Sequence, residues 1–117
     1  MIEQPDKSFT LEETLDWWRR KVDLLDAEMT DLLGKRARYA LEINKLKQEA
    51  GLEVIQPDRE KEVLAHVSKV KHAPLPTESL EKIYKAIIEE IRALQEAWLQ
   101  AEQEKAQQKA QEESSPN

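Results

Sequence analysis

The chain of 117 residues has no cysteine, so neither a disulfide framework nor a thiolate metal site is open to it. Glycine is nearly missing too: there are two, with three tryptophans, two tyrosines and one phenylalanine, against 36% charged residues. That balance favours an all-helical protein over a sheet, and no Gly-rich phosphate loop is present. No proline interrupts residues 11–50. The first nine residues contain no apolar run of signal-peptide type, and no segment reaches membrane-spanning length. A soluble cytoplasmic protein with no membrane partner is expected. Excess positive charge is also lacking: the net charge is −6, of which −3 falls after Gln95 as five glutamates against two lysines. Local basic groups exist at Arg19, Arg20 and Lys21 and at Lys35, Arg36 and Arg38, but without the basic arm or interleaved aromatics that nucleic-acid binding uses. His66 and His72 have no partners at metal-ligand spacing and read as surface residues, so no metal is expected.

What remains is dominated by one long stretch, from Leu11 to about Ala50. Large apolar residues recur as Leu15, Trp18, Val22, Leu25, Met29 and Leu32, then Tyr39, Ile43 and Leu46, in steps of three and four. That period marks one face of an amphipathic helix. Such a helix would be roughly 60 Å long, while a compact chain of this size has a radius of gyration of about 13 Å. It cannot be covered by its own chain, and a second copy is the default partner. Thr10 and Glu13 have the capping-box spacing at its start, and Gly51 suits a left-handed end.

Arg36 stands where the stripe calls for an apolar residue, and Lys47, eleven residues on, is only about 20° away around the helix. Either long basic side chains snorkel from a helical seam, or the helix lines a pocket for an anion. Pro57 suits the first turn of a short second helix with an apolar side of Val63, Leu64, Val67 and Val70. Glu60 lies on that inward side, as a helix-terminus acid or as the partner of a cation or ligand hydroxyl. Thr77 can cap a third helix with the stripe Leu80, Tyr84, Ile87, Ile91, Leu94 and Trp98. Gln95 falls beside it, for core hydrogen bonding or for a ligand. Three segments follow: a flexible lead-in over residues 1–9, a helical domain over 10–99, and a polar tail over 100–117, disordered or frayed helical.

The order and spacing of Trp18-Arg19-Arg20-Lys21-Val22-Asp23, Lys35-Arg36 to Lys47, Pro57-Asp58-Arg59-Glu60 and Ile87-Ile88-Glu89-Glu90-Ile91-Arg92-Ala93-Leu94-Gln95 resemble the all-helical class of chorismate mutase. The resemblance covers about residues 11 to 99. It implies an intertwined helical homodimer of one long, one short and one long helix per chain. It also implies a Claisen rearrangement of chorismate to prephenate without any cofactor, on the way to phenylalanine and tyrosine. Arg19 is seventeen residues from Arg36, about 25 Å along one helix. By the resemblance Arg19 serves the other subunit's site, while Arg36, Lys47, Arg59, Glu60 and Gln95 serve their own. Lys47 and Gln95 would donate to the ether oxygen, the arginines would clamp the carboxylates, Glu60 would accept from the ring hydroxyl, and Arg59 would hold a carboxylate or orient Glu60. Two positions depart from the family's pattern: Gln56, where an acid is common, and Ile91, where a serine is frequent and a carboxylate contact is lost. Two other readings share the fold, an isochorismate-pyruvate lyase and a non-catalytic helical dimer that regulates a partner enzyme of the shikimate pathway.

Overall fold

The computed structural model describes residues 2–53 and 57–114, and among them only helices occur: α1 (Leu11–Glu49), α2 (Pro57–Ser68) and α3 (Thr77–Ser114). The order long, short, long is the expected one. Two compact units are distinguished, Met1–Arg36 and Ala37–Asn117. No helix among the described residues is long and apolar enough to cross a membrane.

In the first unit the lead-in is tied to α1 through Glu3. Glu3 forms an ion pair with Lys21, whose Nζ also lies 5.0 Å from the Trp17 ring centre. That hydrogen bond and the Lys21 charge hold the Glu3 carboxyl below the usual carboxylate range. Asp6 accepts from the Ser8 N–H and hydroxyl, both at 2.8 Å, and these bonds lower its carboxyl as well. The helix then starts with a reciprocal capping box. Glu13 N–H donates to Thr10 Oγ1 at 3.1 Å, and Thr10 N–H to Glu13 Oε1 at 3.2 Å. Past this start the large apolar stripe stands open: Val22, Leu25, Met29 and Leu32 are all more than half exposed.

The second unit holds what core the chain has. α1 ends in a Schellman turn, in which Leu52 N–H reaches Lys47 O at 2.8 Å and Gly51 N–H reaches Gln48 O at 3.1 Å. Gly51 supplies the φ of 70° that this turn demands. α2 packs against α3, and Val67 and Ile88 are the buried apolar residues, with Leu64, Ile87 and Ile91 half-buried around them.

Two expectations change here. Thr77 does not cap α3: Pro76 O accepts the first helical bond, from Leu80, which makes Thr77 the first helical residue. Its hydroxyl instead meets His72 Nε2 at 2.8 Å, while His72 Nδ1–H donates to Val70 O at 2.6 Å. His72 is therefore half-buried and engaged at both nitrogens rather than a plain surface residue. Of the two readings of the polar tail, disordered or frayed helical, the described residues are helical as far as Ser114: Ala, Glu, Gln and Lys are strong helix formers and pair one turn apart, as Lys105 does with Glu102.

Candidate active site

In the part of α1 that belongs to the second unit, burial follows a row the large-apolar stripe does not contain. Ala37, Ala40, Leu41, Asn44 and Lys47 are buried or half-buried, while Tyr39, Ile43 and Leu46 are 64%, 49% and 65% exposed. At 100° per residue the two rows lie roughly a third of a turn apart. The helix therefore has two working faces. One, with small residues, meets its own chain; the other, with the large ones, is left about half exposed or more.

Asn44 is the most deeply buried residue of the first row, with no exposed surface. Its Oδ1 accepts a hydrogen bond of 2.8 Å from Nε2 of Gln95 on α3. Lys47 follows one turn later on the same row and is half-buried. Gln95 and Lys47, singled out as donors, are thus carried by α3 and α1 of the same unit, with Asn44 between the helices.

One turn before Gln95 on α3 stands Arg92, ion-paired to Glu60 of α2. Both side chains are about one-third exposed, at 35% and 31%. The inward placement of Glu60 follows from its spacing to Leu64 and Val67, and its cation is Arg92. Arg59 donates to Glu62 at 3.1 Å on the exposed side of α2. Ile91 is half-buried beside Ile88 and has no polar atom to offer. Gln56 lies outside the described residues.

Arg19 and Arg36 belong to the first unit. Arg19 is exposed, with Asp16 3.9 Å away, a distance at which an exposed pair contributes little. Arg36 is half-buried. A separate open depression at the start of α2 is lined by Glu53, Pro57, Asp58, Arg59 and Glu62.

Sequence reasoning missed two residues here, Asn44 and Arg92. Arg92 was legible as a cation three residues before Gln95 and thus on the same side of α3. Asn44 was legible only through the small-residue row of Ala37, Ala40 and Leu41.

The chain matches the family described as chorismate mutase type II over residues 18–96. It is 34% identical over 88 residues to the bifunctional chorismate mutase/prephenate dehydratase of Neisseria gonorrhoeae, which covers 75% of this chain and 24% of that protein. The chain thus spans about a quarter of the length of that bifunctional relative. Against the chorismate mutase of Methanocaldococcus jannaschii it is 28% identical over 88 residues, covering 74% of this chain and 89% of the other. Among solved structures, the Helicobacter pylori chorismate mutase in complex with prephenate is 36% identical, with a TM-score of 0.66 over 74% of this chain and 93% of that one.

Proposed function

The chain belongs to the chorismate mutase type II family, and from that membership we propose that it rearranges chorismate to prephenate as a cytoplasmic homodimer. The reading rests above all on the matched span, residues 18–96, which contains every residue assigned to the site, from Arg19 to Gln95. The reaction breaks the ether carbon–oxygen bond as a new carbon–carbon bond forms, and no proton changes hands. The protein's part is to hold the enolpyruvyl arm over the ring and to stabilise negative charge on the ether oxygen. Arg36 and Arg59 clamp carboxylates, Lys47 and Gln95 donate to the ether oxygen, and Glu60 accepts from the ring hydroxyl. Gln56 adds an amide or backbone contact to that hydroxyl. Ile91 forgoes a carboxylate contact, which weakens substrate affinity more than turnover. Residues 10–99 carry the reaction, with 1–9 and 100–117 outside the site.

The dimer is supported by the open face of α1. Among the described residues the buried apolar side chains are Val67 and Ile88, each worth roughly 1.5–3 kcal/mol, a small core for three helices. Val22, Leu25, Met29, Leu32, Ile43 and Leu46 await cover, and a second copy supplies a matching face. It also lets Arg19 serve the partner's site. The product feeds a prephenate-consuming enzyme of aromatic amino-acid biosynthesis, the step that the bifunctional relatives carry in their names.

Prephenate formation by purified protein tests this reading. Wild type is expected to turn over chorismate, and Lys47→Ala to lose on the order of 3 kcal/mol in the barrier, a hundredfold or more. Arg36→Ala is expected to fall at least as far. A folded wild type that leaves chorismate untouched, or releases pyruvate from isochorismate instead, overturns it.

A further inference from the structure

We propose that Asn44 is a positioning residue that sets which end of the Gln95 amide faces the reacting ether oxygen. The inference rests on the donor role given to Gln95 above. A glutamine amide has nearly the same shape either way round, but its two ends have opposite polarity. An ether oxygen that gains negative charge is stabilised by the N–H end and repelled by the carbonyl end. A glutamine used as a donor therefore needs something that holds its orientation.

Asn44, with its Oδ1 facing Gln95, pairs only with the N–H end of that amide. Its Oδ1 accepts from Gln95 Nε2 at 2.8 Å, and the bond is shielded because Asn44 has no exposed surface. One N–H of Gln95 is spent on Asn44, and the second leaves the same nitrogen at about 120° to the first as the one that meets substrate. Lys47 is one turn from Asn44, so a single row of α1 carries one donor and aligns the other.

The cost of keeping an amide there argues against a packing role. Asn44 Nδ2 is buried and has no hydrogen-bond partner among the described residues. An unsatisfied buried donor is expensive, and a leucine, which has the same branching, would line the space without that penalty. What leucine cannot do is accept from Gln95.

The test is a double-mutant cycle on kcat and KM with Asn44→Leu, Gln95→Met and the pair, each with its melting curve. Asn44→Leu is expected to lower kcat roughly ten- to a hundredfold, the scale of a misplaced catalytic group, with a smaller change in KM. On top of Gln95→Met it should add nothing. An Asn44→Leu enzyme within twofold of wild type overturns the inference, as does a loss repeated in full in the Gln95→Met background. So does an unimpaired Gln95→Met enzyme. If Asn44→Leu fails to fold, proton exchange at the side-chain amides of wild type decides. The Gln95 Nε2 protons should exchange at least tenfold more slowly than those of exposed Gln103, and equal rates overturn the hold. A wild type without turnover refutes the proposed function instead, and the exchange measurement then judges the Asn44–Gln95 contact by itself.

Discussion

Replacing Arg92 by methionine tests how α2 is held to α3. The substitution keeps most of the side chain's length and apolar stem while removing the guanidinium from Glu60. Exposed ion pairs contribute about 0–1 kcal/mol, and breaking a fully buried one costs about 3–5 kcal/mol. With Arg92 35% and Glu60 31% exposed, the loss should fall between, near 1–2 kcal/mol. Much of it comes from stranding the Glu60 carboxylate. Arg92→Met combined with Glu60→Gln should therefore be more stable than the sum of the single losses allows, by about 1 kcal/mol. Urea denaturation followed by helical circular dichroism measures this, with chain concentration fixed so that association contributes equally to all four proteins. Full additivity of the two substitutions, or an Arg92→Met protein within 0.3 kcal/mol of wild type on the same roughly additive scale, would refute the reasoning.

Gly51→Ala should cost about 1 kcal/mol in the same denaturation assay, through the backbone alone. A Cβ there meets nothing within 4 Å, so the whole penalty comes from the φ of 70°. A neutral result would mean the Schellman turn rearranges freely. Leu25→Asp places a charge on the open face of α1, where Leu25 is 57% exposed. It should abolish the proposed dimer in light scattering and leave a chain with much less helix, whereas a fully helical monomer would break the argument from the uncovered stripe.

The helices and their ends were largely legible because their signals are local. Thr10 with Glu13, Gly51 and Pro57 each act within one turn of chain, and each marks a boundary of α1 or α2. Thr77 failed as a cap for the same reason in reverse: its hydroxyl was taken by His72, five residues back, and Pro76 stood at the cap position. The partners of the candidate site were harder to read. That Glu60 needs a cation follows from its spacing, but the choice of Arg92 over neighbouring Arg59 depends on how α2 lies on α3. Asn44 escaped notice because a search for large apolar residues finds the face of α1 that its own chain leaves bare. The face that its chain covers is lined by alanines, one leucine and an amide.

The bare face of α1 also bears on how the amount of protein relates to the amount of activity. Where a second copy covers that face, folding and association are one bimolecular event. The melting midpoint then climbs with chain concentration, and dilution is itself a denaturant. Halving expression removes more than half of the working enzyme near the dissociation constant. If Arg19 serves the partner's site as proposed, a chain defective only at Arg19 and a chain defective only at Lys47 restore one intact site when they pair with each other.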